Sequence, residues 1–550
     1  MTSVLGSLDW LLIGLYFAAV FGVAFWSARR EETRETSAGY FLAGRNVGWF
    51  VVGASLFASN IGSEHLVGLA GTGASSGLAV AHFEVLASLI LLLLGWLFVP
   101  FYLKSGVFTM PEFLERRYSS GARWYLAVIS IVGYVLTKIS VTIAAGGIVF
   151  ETLMGIDFWV GALVVVVATG IYTVFGGLRA VLYTDLLQTF VLIGGAITVT
   201  WLGIGQLGGV GALRETVEPA FFEIWKPSSH PDFPWTGILF GAPILAVWYW
   251  CTDQFIVQRV LSASDVDNAR RGTIFGGFLK LLPLFLFVLP GVVAYGLQQQ
   301  GRLELEQSDQ ALPALVGALL PVGLRGLVVA GLLAALMSSL SSVFNSCSTL
   351  VTWDLYKKLR PEAPEATLVR VGQVATGVLV LFGLAWIPMM QFISDQLYVY
   401  IQSVQAYISP PIAAVFLVGI AWRRVNARGA MAALVTGFVL GMSRLGLEIG
   451  QESLTGGLLW LAEINFLHFA ILLFVVCTVV LVAVSLLTEA PDEARLGGLT
   501  FATADAPADV PADEQVPAGF TTSDPGWRRI DLWLSIVLAG LVGVVWFYFA

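Results

Sequence analysis

Charge is what this chain has least of. Asp, Glu, Lys and Arg make up 12% of its 550 residues, about half the share of a soluble globular protein. An ordinary water-soluble domain is therefore excluded. Cysteine is also scarce. The three present, Cys251, Cys347 and Cys477, all lie in apolar segments, which excludes a disulfide framework and a CxxC metal pattern. There is no P-loop or other nucleotide motif, and nothing points to an enzyme. Segment 8–26 ends in Ser-Ala-Arg-Arg without a small-residue cleavage site, so no cleavable signal peptide is expected. The net charge of −8 says little about partners, because the charges lie in loops; no nucleic-acid partner is expected.

Apolar residues are abundant instead, at 57%. Runs of bilayer-spanning length recur from end to end, so the chain reads as an all-α polytopic membrane protein embedded in a lipid bilayer. Fourteen spans are predicted, at 8–27, 47–71, 78–103, 122–152, 158–176, 181–205, 235–254, 272–297, 313–346, 366–387, 394–421, 428–447, 461–487 and 530–549. Basic residues fall in alternate loops. Arg29, Arg30, Arg34 and Arg45 lie in the first, and Lys104, Arg116, Arg117 and Arg123 in the third. Arg259, Arg270 and Arg271, then Lys357, Lys358, Arg360 and Arg370, then Arg423, Arg424 and Arg428 continue the alternation. The odd-numbered loops are thus expected in the cytoplasm and both termini outside. Residues 488–527, rich in Ala, Pro, Asp and Glu, read as a mostly disordered cytoplasmic linker.

Two spans are interrupted. The second reads ASLFASNIGSEHLVGLAG over 54–71, with an amide, hydroxyls, an acid and an imidazole at its centre. The seventh has Gly241 and Pro243 near its middle and Asp253-Gln254 at its end; a central Pro breaks or kinks a helix. Interrupted spans five apart suggest two five-span repeats, 47–205 and 235–421, with a substrate site at the bilayer midplane. The other parts are a leading helix and loop (1–46), an outer loop (206–234), two flanking helices (422–487) and a last span (528–550).

Intramembrane polar residues are few. They include Asn60, His65, Glu84, Lys138, Asp185, Lys280, Gln402, Gln405 and the hydroxyl-rich run from Ser338 to Thr349. Taken singly, each has a plain structural reading: Glu84 and Lys280 as an ion pair, Lys138 snorkelling to a span end, Asp185 as a helix cap, the serines as close-packing residues. Taken together on the broken spans and their neighbours they argue for a pathway. Sodium is a hard cation that takes oxygen ligands. Hydroxyls of Ser338 and Ser339 with carbonyls of Ala335, Ala58 and Ile61 would form a neutral five-oxygen cage. Asn60, His65, Glu84, Lys280 and Gln402 offer the donors and acceptors a neutral polyhydroxylated solute needs. Tyr249 and Trp250 offer aromatic faces to cover it.

The stretches GASLFASNIGSEHLVGLAG, PEFLERRY, GGLRAVLYTDLLQT, WYWCTDQFIVQRVLSA, LMSSLSSVFNSCSTLVTWDLY and YIQSVQAYISPPIAAVFL resemble sodium/glucose cotransporters of the sodium:solute symporter family over nearly the whole chain. The resemblance implies a LeuT-like core of two inverted five-helix repeats and symport of Na+ with a neutral sugar. It implies sugar contacts at Asn60, His65, Glu84, Tyr249, Trp250, Lys280 and Gln402, and a sodium site at Ala58, Ile61, Ala335, Ser338 and Ser339. It also implies a second sodium at Asp185, Ser338, Ser341 and Ser342, where single-sodium relatives often have SSLAS rather than SSLSS. Ala246, Val399 and Ala87 depart from residues that relatives carry near the sugar. Rival readings are the same mechanism with myo-inositol, mannose or another polyol, and a proton-translocating membrane subunit, which would leave the serines unexplained. Function as a monomer is expected.

Overall fold

The computed structural model describes residues 4–29, 47–62, 64–107, 109–390, 392–503 and 524–550; side chains at 23–29, 64, 104, 171–189, 365–366, 369, 494–495 and 527 lie outside the described residues. Asp185, the acid of the second sodium set, is among those side chains, as are Arg29 and Lys104 of the basic loops. Arg30, Arg34, Arg45 and half of the linker (504–523) fall outside entirely. β-structure is confined, among the described residues, to two isolated bridges, Val47–Ala263 and Lys226–Pro234. Everything else is helix and connection.

Eleven described helical stretches are long and apolar enough to cross a membrane, and three shorter apolar helices accompany them, Ser7–Gly22, Trp49–Asn60 and Phe158–Gly170. Each of the fourteen predicted spans overlaps one of these segments. Their outward faces are hydrocarbon: Phe190, Trp201, Leu381, Phe382 and Phe547 are exposed, as lipid-facing residues must be. The chain is a multi-pass membrane protein.

The elements that bear on the site are Trp49–Asn60 (α1), Ala70–Ser76 (α2), His82–Leu93 (α3), Ala242–Val247 (α4), Gln254–Leu261 (α5), Leu324–Thr349 (α6) and Leu397–Ala421 (α7). α1 packs on Val266–Leu279 and touches α6; α7 packs on Phe466–Leu487, on Ala427–Ile449 and on α4. Small residues allow the close approaches. A Cβ on Gly291 would lie 2.0 Å from the Ala70 carbonyl oxygen, and one on Gly441 2.1 Å from that of Tyr407.

The structure differs from the sequence reading in four places. Spans predicted at 158–176 and 181–205 fall on one unbroken 50-residue helix, Phe158–Leu207; the Gly176-Gly177 pair does not stop it, and no Pro is present. The predicted ninth span, 313–346, is two helices, Ala311–Leu319 and α6. Leu320 is extended and Gly323 has φ +94° between them, a turn that Pro321 favours. In the seventh span Pro243 does not break the chain. It sits in the first turn of α4, where its missing N–H costs nothing, and Gly241 keeps helical angles. The break comes at Asp253, which is extended. Finally, the first part of the predicted linker is packed. Leu496, Leu499 and Thr500 are buried, the Phe501 ring lies 6.0 Å from Phe101, and Arg424 Nη2 donates to the Thr488 carbonyl at 2.8 Å. The apolar LGGLTF within an otherwise acidic stretch supplies that contact.

Candidate functional site

The first interruption has a local hydrogen-bond signature. The Ile61 amide still donates to the Phe57 carbonyl at 2.9 Å, closing α1. The Gly62 amide then donates to Asn60 at 2.9 Å and the His65 amide to Gly62 at 3.1 Å. In a continuous helix those two amides would serve the Ala58 and Ile61 carbonyls. Both carbonyls are thereby released from the helical ladder. A π-helical turn, Glu64–Leu69, follows and brings His65 inward.

The second interruption is built by a side chain. Asp253 Oδ1 accepts from the Phe255 amide at 3.0 Å, capping α5, and from the Tyr134 hydroxyl. Ahead of it, the π-helical turn Trp248–Thr252 carries Tyr249 and Trp250. Their rings meet edge to face at 5.1 Å.

Between the interruptions lies a cavity whose empty space, including the part open to solvent, is about 550 Å³. Six of the seven predicted sugar residues line it: Asn60, His65, Glu84, Tyr249, Trp250 and Gln402. Lys280 stands behind the wall instead. It is 1% exposed; its Nζ pairs with Glu84 Oε2, donates to Asn60 Oδ1 and lies 3.3 Å from His65 Nε2. His65 Nε2 is also 3.1 Å from Glu84 Oε1. The plain reading of Glu84 and Lys280 as an ion pair therefore holds as well: the pair braces three wall residues at once.

Lys138 is a correction. The sequence reading lets it snorkel to a span end, but it is 5% exposed and lines the cavity. Its Nζ donates to Tyr249 Oη at 2.9 Å and sits 4.2 Å from the Phe255 ring centroid. Asn60 Nδ2 donates to the same Tyr249 oxygen at 2.9 Å, so the Tyr249 hydroxyl joins α1 to the seventh span. Phe83, Tyr398 and Gln405 also line the cavity and were absent from the predicted set. Tyr398, Gln402 and Gln405 follow the i, i+4, i+7 rhythm of one helix face, a signal present in the sequence. Gln402 and Gln405 are buried, and neither amide makes a hydrogen bond to protein among the described residues. Of the three departures, Ala246 and Ala87 line the cavity, and Val399 is buried on α7.

The predicted sodium residues lie on neighbouring helices. Ala58 and Ile61 belong to α1 and the break after it, while Ala335, Ser338, Ser339, Ser341 and Ser342 are buried on α6, which contacts α1. Ser342 Oγ is buried with no hydrogen-bond partner. Among the described residues no cluster of three His, Cys, Asp or Glu is placed to hold a metal.

Two broken helices beside a cavity with several polar lining residues, in a multi-pass helical bundle, are the arrangement of a secondary transporter. Residues 40–437 match the Sodium:solute symporter family, and the chain belongs to that family. It is 39% identical to sodium/glucose cotransporter 4 of Danio rerio, over 96% of this chain and 88% of that one. It is 41% identical to sodium/glucose cotransporter 1 of Oryctolagus cuniculus, over 88% and 79%, and 40% identical to sodium/myo-inositol cotransporter 2 of the same animal, over 92% and 82%. Among solved structures, a Na+-coupled sialic acid symporter in a substrate-bound outward-open state superposes with a TM-score of 0.72, 22% identity and 89% and 99% coverage. A nucleobase-cation-symport-1 family transporter in a closed conformation superposes at 0.52, with 14% identity and 84% and 97% coverage. The fold is the LeuT-like fold of these carriers. The chain is a sodium-coupled secondary transporter and not an enzyme.

Proposed function

We propose that this carrier couples the inward flux of two sodium ions to uptake of a neutral hexose such as glucose or galactose. The observation that carries the reading is the pair of buried, unbonded amides of Gln402 and Gln405 facing Asn60, His65 and Glu84 across one cavity. Such a wall presents donors and acceptors that a polyhydroxylated guest can satisfy. Tyr249 and Trp250 cover an apolar sugar face. The relatives named for sodium/glucose transport support the same cargo.

One sodium takes the released carbonyls of Ala58 and Ile61 with Ala335, Ser338 and Ser339. The partnerless hydroxyl of Ser342 supports a second, with Ser338, Ser341 and Asp185. The first ion joins repeat 47–205 to repeat 235–421 and readies the cavity; Tyr249 is the inner gate. Two charges crossing 100 mV supply about 4.6 kcal/mol, enough for a sugar gradient above a thousandfold. The basic loops put both termini outside, and each copy has a full cavity, so the monomer suffices. A polyol such as myo-inositol is the second reading, supported by the relative named sodium/myo-inositol cotransporter 2. Counterflow with labelled sugars in sodium-loaded proteoliposomes tests the choice. Glucose or galactose should exchange fastest; exclusive exchange of myo-inositol would overturn the hexose reading.

A further inference from the structure

The first turn of α7 is capped from far along the chain. Its N-cap residue, Gln396, contributes no side-chain cap. Instead Asp309 Oδ2 accepts from the Leu397 amide at 2.9 Å. Asp309 belongs to the short turn Ser308–Gln310, outside the candidate spans, yet it is only 2% exposed. Its other side presses on α2. A Cβ on Gly71 would lie 2.0 Å from Asp309 Oδ1 and 2.7 Å from its Cα, so only glycine admits the carboxyl there. α2 and α7 touch directly around it. Ser75 Oγ donates to Gln396 Oε1 at 2.9 Å, and a Cβ on Gly68 would lie 3.1 Å from the Tyr398 amide nitrogen. One buried carboxyl thus sits where the second half of the first broken helix meets the helix that carries Tyr398, Gln402 and Gln405.

We propose that Asp309 is a positioning residue of the transport cycle: it clasps α2 to the first turn of α7, and the two part only when this carboxyl leaves its pocket. The proposal rests on the cavity being the transport site. A clasp that served stability alone would gain nothing from a buried acid with one oxygen, Oδ1, lacking any hydrogen bond. The surroundings fit a group that comes and goes. Its own loop carries Arg302, whose Nη1 donates to the Gln206 carbonyl, and Glu304 and Glu306. The segment before α7 carries Asp395, α7 itself Tyr398 and the π-helical turn His65, with the Glu64 side chain outside the described residues. α2, Ala311–Leu319 and Ser140–Val149, which also pack here, carry no titratable side chain. Burial pushes the Asp309 carboxyl up to about 7, opposed by the Leu397 amide and reinforced by Asp395. An exposed aspartate titrates near ~3.9. The packed state therefore holds a proton more tightly than the parted state. Acid favours the clasp, and raising pH through about 7 favours parting.

The test needs no substrate. Thr72 on α2 is fully buried and the three native cysteines are buried, so Thr72→Cys in the full-length protein, purified in detergent, reports parting through its rate of labelling by a water-soluble maleimide. Rates are taken at pH 6, 7 and 8. The ratio of Asp309 protein to Asp309→Asn protein at each pH removes the reagent's own pH dependence. The ratio should climb from pH 6 to pH 8. Asp309→Ala should label roughly tenfold faster than the Asn variant, the factor for one lost hydrogen bond. A flat ratio, or an Ala variant that labels no faster, overturns the clasp. The expected labelling with no hexose uptake would leave the clasp standing and remove the hexose reading alone.

Discussion

At the scale of single residues, partnering separates the cavity wall into two kinds of group. Gln402 is buried without a protein partner, so truncating it removes only what it offers the guest. Gln402→Ala should raise the KM for hexose about tenfold or more while sodium binding, read by tryptophan fluorescence, stays unchanged. Lys280 differs, because Glu84 depends on it. Lys280→Ala strands a buried carboxylate, at about 3–5 kcal/mol, and should lower the melting temperature in detergent as well as abolish uptake. If the variant melts like the parent, the brace is wrongly assigned. Ser342→Ala should lower the sodium:sugar ratio from two toward one in flux measurements; an unchanged ratio rejects the second ion. Six residues of the wall were legible at this scale, because a polar side chain in an apolar run has few places to go. Lys138 was not. The snorkelling reading places it near a span end, although the predicted span of 122–152 has it at its middle. The pairing of its ammonium with Tyr249 Oη joins residues 111 positions apart, which no local pattern contains.

At the scale of elements, interruptions come from hydrogen-bond competition more than from helix-breaking composition. Pro243 looks disruptive in the sequence and is harmless in the first turn of α4. Asp253 breaks the chain because its carboxylate outbids the helix for the Phe255 amide and is held there by Tyr134. Pro243→Ala should therefore leave initial uptake within about twofold. Asp253→Ala, which lets the π-helical turn run into α5 and frees Tyr134, should cut uptake far more while the protein still reaches the membrane. Equal effects of the two substitutions would contradict this assignment. The second-span break was readable for another reason: a polar run with a glycine at Gly62 stands out in an apolar helix, and the Gly62 amide turns there to the main-chain carbonyl of Asn60 while the Asn60 side chain serves Tyr249 and Lys280.

At the scale of the molecule, the multi-pass helical class was legible because hydrocarbon thickness imposes a length on apolar runs. The packed start of the linker was not, because LGGLTF is too short to be told from a spacer without the surfaces around Phe101 and Arg424. The merged helix Phe158–Leu207 shows the converse limit: a Gly pair marks a boundary only where something else stops the helix. α1 ends at Asn60 in the cavity wall and also contacts α6, so under the proposed assignment an ion held between α1 and α6 would act on the solute cavity through α1. Uptake of labelled glucose into proteoliposomes, in sodium against choline and with the potential clamped by potassium and valinomycin, tests that union most directly. The account predicts accumulation in sodium that grows as the interior is made negative. Equal uptake in choline, indifferent to voltage, would contradict it.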